Sequence, residues 1–220
     1  MPSFHHILDS KKQQIDSNLE TLFDEVRDAI DGAIRCLFKH DMAVCKAIVE
    51  HDASLNERRR MIEQDCLVAI ASQQPVANDL RFIVADMRIA GELERMGDYA
   101  SDIAASAMEL DGVDVNPLGL VDIQSMAALC QQMLSHVKRA HREGDAELAN
   151  RVAQMDGELD ARLSKLVNVL MDAMRATPAN VHNGSRMLWM AHNLERCGDR
   201  ATNIAEQVVF RVRGDVVDLD

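Results

Sequence analysis

Leu93-Glu94-Arg95-Met96-Gly97-Asp98-Tyr99-Ala100-Ser101-Asp102-Ile103-Ala104 returns as Leu194-Glu195-Arg196-Cys197-Gly198-Asp199-Arg200-Ala201-Thr202-Asn203-Ile204-Ala205, with eight of twelve positions identical at an offset of 101. Asp41 and Asp52 stand ahead of the first copy, and Asp145 and Asp156 match them at an offset of 104. An ordered set of matches at nearly constant spacing marks an internal duplication.

The residues around each copy give the repeated unit. Ile15, Leu19, Leu22, Val26, Ile30, Ala33 and Leu37 recur in steps of three and four, the apolar stripe of an amphipathic helix. His40-Asp41 breaks the stripe, and Asp41 is placed to cap a second helix. That helix carries Val44, Ala47, Ile48, His51, Leu55, Ile62, Cys66, Ala69 and Ile70 on one side. Pro75 suits the first turn of a third helix, which runs to about Leu110. Asp111 to Gly119 is the clearest linker, with Asn116 as cap and Pro117 at the first helical position of a fourth helix. Ile123, Ala127, Cys130, Leu134, Val137 and Ala140 form the next stripe. Gly144-Asp145 ends it and opens a fifth helix, and Thr177-Pro178 does the same before a sixth. The tail from Gly214 reads as frayed.

The expected fold is therefore all-α. Two tandem three-helix bundles, spectrin-repeat-like, span 1–113 and 114–220 and are related by approximate two-fold symmetry. Six helices of about 30 residues, each about 45 Å long, make an elongated molecule. Composition agrees. Of 220 residues only 10 are Gly and 4 are Pro, and aromatics are 3%, so the turn chemistry of an all-β fold is missing.

Chemistry is concentrated in the repeated motif. Glu94 and Asp98 lie four residues apart, one turn apart on one helix face, and Asp102 extends the row. The second row is Glu195, Asp199 and Asn203. Like charges at this spacing repel, and solvent, arginine or a cation must offset them. Gly97 and Gly198 each cost a helix about 1 kcal/mol against alanine, which implies close approach by a neighbouring helix or a ligand. Two readings are open. Either the rows are solvated and partly neutralised by Arg95 and Arg196, or they supply oxygen ligands to Mg²⁺, Mn²⁺, Fe or Zn²⁺. Duplication of the whole row, glycine included, favours the metal. Further ligands are expected from the second helix of each unit, where Asp52 with Asn56 matches Asp156 with Asp160. His51 falls in the apolar stripe and reads as a packed core histidine; His192, beside Glu195, is ambiguous.

Other classes are weaker. The net charge is −12, which repels a phosphate backbone and disfavours direct nucleic-acid contact, while an acidic surface favours cations. Arg58-Arg59-Arg60 reads as a solvated helix face. Five cysteines without a CxxC read as reduced thiols in a cytoplasmic protein. No apolar run reaches membrane-span length. There is no HExxH, no Walker A loop, no Rossmann glycine pattern and no Glu three residues before a His, so a carboxylate-bridged metal enzyme stands behind a binding protein. A metal-free helical adaptor with a chaperone-like role is the other alternative, and a transcription repressor is a third.

Leu93-Glu94-Arg95-Met96-Gly97-Asp98, Leu194-Glu195-Arg196-Cys197-Gly198-Asp199 and the stretch Gln74-Pro75-Val76-Ala77-Asn78-Asp79-Leu80-Arg81 resemble the PhoU family, regulators of bacterial phosphate uptake. The resemblance runs from about Phe4 to Arg213. It implies two three-helix bundles side by side, and metal ions (iron, zinc, manganese or magnesium) at Glu94, Asp98, Glu195 and Asp199. It implies a non-enzymatic homodimer, peripheral to the membrane through protein partners: the ATPase subunit of a phosphate ABC transporter and a sensor histidine kinase. Such a protein restrains uptake and holds the phosphate-starvation response off when phosphate is plentiful. Three departures bear on the second half: Ala176 aligns with Pro75, His182 with Arg81, and Asn203 with Asp102. The second row is accordingly expected to bind metal differently or more weakly.

Overall fold

The computed structural model describes residues 4–115 and 118–219, with side chains from Ile7 onward. Six helices follow one another: α1 Phe4–Lys39, α2 Met42–Gln73, α3 Asn78–Glu109, α4 Leu120–Glu143, α5 Ala146–Ala176 and α6 Val181–Arg213. No strand occurs among the described residues. The two matched aspartates act as the repeat predicts. Asp41 Oδ1 accepts from the Val44 amide at 3.2 Å and Asp145 Oδ1 from the Leu148 amide at 2.9 Å, each satisfying a first-turn donor. Before Asp145 the chain turns at Gly144 with φ +64°, and the Asp145 amide donates back to the Ala140 carbonyl at 2.9 Å. That closure needs a left-handed residue, hence glycine.

Proline placement differs from expectation. α3 starts at Asn78, three residues after Pro75, with Ala77 at φ +46° as its uncapped lead-in. Gln74 has already ended α2 in the left-handed region, so Pro75 lies in the connection rather than in a first turn. Thr177-Pro178 opens a 3₁₀ turn, Pro178–Asn180, that feeds α6, and Thr177 makes no side-chain cap. Asn116 and Pro117 lie outside the described residues; α4 itself starts after Gly119, at φ +79°. The tail beyond Gly214 is not helical, yet it is held. The Leu219 amide donates to Glu206 Oε1 at 2.9 Å, and Val217 and Leu219 pack on the core.

All seven residues of the α1 stripe and all six of the α4 stripe are buried. α1, α2 and α3 pack as one bundle and α4, α5 and α6 as the other. The bundles join side by side through α3 on α6 and α1 on α4, while α2 and α5 touch only their own repeat among the described residues. α3 and α6 therefore form the centre, with α2 and α5 on opposite flanks. The two motif glycines explain the tight flanks. A Cβ at Gly97 would sit 2.5 Å from Leu55 Cδ1, and one at Gly198 2.5 Å from Leu159 Cδ2. Leu55 and Leu159 are themselves repeat mates at an offset of 104. What approaches each glycine is a neighbouring helix.

Two further expectations need revision. His51 is exposed, not packed. The early half of α2 turns Val44, Ala47, Ile48 and His51 toward a groove of about 390 Å³ shared with Glu25, Asp28 and Ala29 of α1. The arginine run is only partly solvated. Arg58 forms a two-pronged pair with Glu25 at 2.6 and 2.7 Å, and Arg59 reaches both Glu63 and Glu94. The cysteines agree with expectation: all five are free and buried, and burial pushes the Cys36 and Cys66 thiols up to about 12, so they are poor nucleophiles.

Candidate metal centres

Each acidic row lies where an inner helix meets its flanking one. On the first flank Glu94 is half-buried and Asp98 and Asp102 are exposed on α3, with Asp52 of α2 facing them. Although its side chain reaches solvent, the Asp98 carboxyl is partly withdrawn from water at the α2–α3 seam; this, then the Glu94 and Asp52 charges and a proton shared with Asp52, pushes it up to about 6, with Asp102 adding to the effect. Asp102 is raised as well, by burial first and by Asp52, against the opposing pull of Arg196. Asp52 Oδ1 is shielded from water and receives no backbone, amide or guanidinium donor. Asn56 joins only indirectly: its amide donates to Asp52 Oδ2 at 3.1 Å. One native cation already reaches the row, since Arg59 Nε lies 3.3 Å from Glu94 Oε1.

On the second flank Glu195 is half-buried on α6. Burial, then Asp199 and Asp160, push it up to about 7, against Arg196 and Arg200. Asp156 hangs over the α6 backbone, with Oδ1 2.9 Å from where a Gly198 Cβ would be. The structure thus brings Glu195, Asp199, Asp156 and Asp160 to one flank, as it brings Glu94, Asp98, Asp102 and Asp52 to the other. Asn203 does not join. It donates to Glu92 Oε2 at 3.2 Å, and Arg200 pairs with the same carboxylate at 3.1 Å, tying α6 to α3.

Carboxylates on adjacent helices that raise one another's proton affinity are short of positive charge. In donor type the set suits a hard or borderline cation, with a shielded oxygen at Asp52, although among the described residues no three donor atoms of either row lie within 4.8 Å of one another. Glu94, Asp98, Asp102 and Asp52 would hold it in the first row, and Glu195, Asp199, Asp156 and Asp160 in the second. The ion would offset part of the charge of the four carboxylates and relieve their mutual repulsion.

A third cluster was not foreseen. Asp16 of α1, Asp86 of α3 and His141 of α4 bring one ligand atom each within 4.8 Å of one another. Asp86 and His141 are 0% and 2% exposed, with His141 Nε2 2.9 Å from Asp86 Oδ1. The cation position is taken, however. Arg211 of α6 places Nη2 3.0 Å from Asp16 Oδ1 and Nε 3.1 Å from Asp86 Oδ1, and donates to the His141 carbonyl at 3.1 Å. A metal would have to displace that guanidinium, so the cluster reads as an ion network joining the two repeats. Burial and Asp86 raise the Asp16 carboxyl, while Arg211, His141 and Lys12 pull it down. The signal was present in the sequence: Asp86 sits in the stripe Ile83, Ile89, Ala90, and His141 follows Val137 by four.

The sequence profile of the PhoU domain matches residues 19–107 and again 123–208, one match per repeat. The phosphate-specific transport system accessory protein PhoU homolog of Pseudomonas aeruginosa is 31% identical over 213 residues, covering 96% of this chain and 88% of that protein. The protein of the same name, PhoU, from Escherichia coli K12 is 30% identical over 202 residues, 92% of this chain and 83% of that one. The crystal structure of PhoU from Pseudomonas aeruginosa superposes with a TM-score of 0.90 at 30% identity, over 94% of this chain and 99% of that one. The phosphate transport system regulatory protein PhoU from Streptococcus pneumoniae gives 0.89 at 26% identity, over 96% and 99%. Both repeats carry the domain, and the six-helix arrangement is that of the solved relatives: the chain belongs to the PhoU family.

Proposed function

We propose that this protein is a metal-binding, non-enzymatic regulator of phosphate transport, acting at the cytoplasmic face through protein contacts. In this reading it engages the ATPase subunit of a phosphate ABC transporter and a sensor histidine kinase, and so restrains uptake and the starvation response. The observation that carries the metal assignment is the gathering of four carboxylates on each flank, from two consecutive helices whose acidic positions are matched by the repeat. The transport assignment rests on the relatives, which are described as accessory to a phosphate-specific transport system. No described helix is long and apolar enough to cross a membrane, which agrees with peripheral action. The division at 113/114 follows the repeat, and a homodimer follows the resemblance.

Ions bound in the rows relieve the repulsion of like charges, and coordination positions left open to solvent give partner carboxylates a place to dock. Arg59 on Glu94 favours a second reading, a metal-free adaptor that neutralises itself. A host lacking its own PhoU separates them. Wild type restores phosphate-dependent repression of uptake and of a starvation reporter. Glu94→Ala/Asp98→Ala/Glu195→Ala/Asp199→Ala, shown folded by circular dichroism and metal-free by elemental analysis, leaves both derepressed. Full repression by that variant contradicts the metal's role.

A further inference from the structure

The two rows differ in what stands beside the glutamate. In the first repeat Arg59 of α2 lies on Glu94, and the residue three before Glu94 is Gly91. In the second repeat the position of Arg59 is Leu163, and the position of Gly91 is His192. An arginine has been exchanged for an apolar residue, and a residue without a side chain for an imidazole. His192 Nδ1 points at the row and lies 3.2 Å from Glu195 Oε2, an oxygen shielded from water that accepts no hydrogen bond of good geometry. Two donors that share one ion at about 2.0–2.2 Å, between right-angle and tetrahedral arrangements, lie about 2.8–3.6 Å apart. The observed separation falls inside that interval. The imidazole is held at the mouth of a groove between α5 and α6, lined by Leu163, Val167, Leu188 and Trp189, with the Trp189 ring centroid 6.3 Å from its own.

We infer that His192 is a metal ligand, making the second row a mixed nitrogen–oxygen centre for borderline divalent ions such as Zn²⁺, Fe²⁺ or Co²⁺, whereas the first row is an all-oxygen centre. This rests on the reading of the rows as metal sites and deepens it: the repeats hold chemically different ions. The physical reason is ligand softness. Imidazole suits zinc, iron and cobalt, while Mg²⁺ takes oxygen and gains nothing from a nitrogen at the same place. The sequence alone suggested that the second row, lacking the Asp102 counterpart, binds metal differently or more weakly. The geometry replaces that oxygen with a nitrogen from the opposite end of the row.

Trp189 is the chain's only tryptophan, so Co²⁺ at the second row is read by quenching of its fluorescence. The test uses the full chain carrying Glu94→Ala/Asp98→Ala, which leaves only the second row. Co²⁺ is titrated directly, and Zn²⁺ and Mg²⁺ by competition, with and without His192→Ala. His192 is exposed, so its removal leaves the fold intact, checked by circular dichroism. The expected result is a loss of at least about tenfold in Co²⁺ and Zn²⁺ affinity, since even ligand-supporting partners are worth that much. Mg²⁺ affinity changes by less than about twofold, and Zn²⁺ moves the His192 Nδ1 resonance in ¹⁵N-labelled protein. Unchanged Co²⁺ and Zn²⁺ affinity in His192→Ala, with binding abolished by Glu195→Ala/Asp199→Ala, overturns the histidine ligand and leaves the acidic-row reading standing. Absence of Co²⁺ and Zn²⁺ binding before His192 is changed overturns both for this row.

Discussion

Asp98 and Glu195 hold protons more tightly in the folded chain than as free side chains, at about 6 and about 7 against ordinary values of 3.8 and 4.5. Between those limits the folded metal-free protein binds more protons than the unfolded chain. Stability from these groups is then complete below the unfolded values and is lost as pH rises through 6 to 7. Metal-free protein is expected to show a melting temperature that falls from pH 5 to pH 8, and Glu195→Gln should flatten that fall. Calorimetry across the range decides; a melting temperature that rises with pH contradicts the assignment. The acidic rows were legible in the sequence because i,i+4 geometry fixes them within one helix. Asp52 and Asp156 were legible as partners because the repeat offset pointed to them. Arg59 on Glu94 was not, because the contact depends on which face of α2 meets α3. His51 was misplaced for the same reason: it follows the stripe spacing, but that part of α2 borders an open groove.

At the scale of elements, the helix starts at Met42 and Ala146 followed from a capping aspartate, a local and strong signal. The proline signals were weaker guides, since proline fixes its own φ without dictating that a helix begins there. Pro75 sits in the connection, and Pro178 heads a 3₁₀ turn instead. The motif glycines are a matter of helix approach. Alanine at Gly97 gains about 1 kcal/mol of helix propensity but meets the tip of Leu55 at 2.5 Å. Alanine at Gly198 meets Leu159 and also the Asp156 carboxylate at 2.9 Å. Overpacking of this kind costs about 1–3 kcal/mol, so both variants are expected to be less stable, Gly198→Ala the more so. Gly198→Ala should also weaken metal binding at its own row by displacing Asp156, whereas Gly97→Ala leaves the first row's affinity nearly unchanged. Denaturant melts with metal titrations read both effects. Equal affinities at the second row with and without the substitution would remove Asp156 from the site.

At the scale of the whole molecule, duplication read from sequence gave two bundles but not how they join. The join is α3 against α6, whose shared small residues, Ala100 and Ala104 with Ala201 and Ala205, are buried in the core. It is reinforced by a network no spacing rule displays, because Asp16, Asp86, His141 and Arg211 come from four helices. Removing one member of a buried, paired set costs about 3–5 kcal/mol, since it strands its partners. Asp86→Ala, at 0% exposure beside Arg211 and His141, should lose that much in urea denaturation and spare metal content. Loss of metal together with a small stability change would instead make the cluster a metal site. The repeats thus share one core while each keeps its own acidic row on its own flank. The most direct test of that arrangement is elemental analysis of protein equilibrated with iron, zinc, manganese and magnesium, in wild type and in Glu94→Ala/Asp98→Ala and Glu195→Ala/Asp199→Ala. The expected result is metal at both rows in wild type, lost from one row at a time in each double variant. Wild-type protein that stays empty at both rows under every ion contradicts the account.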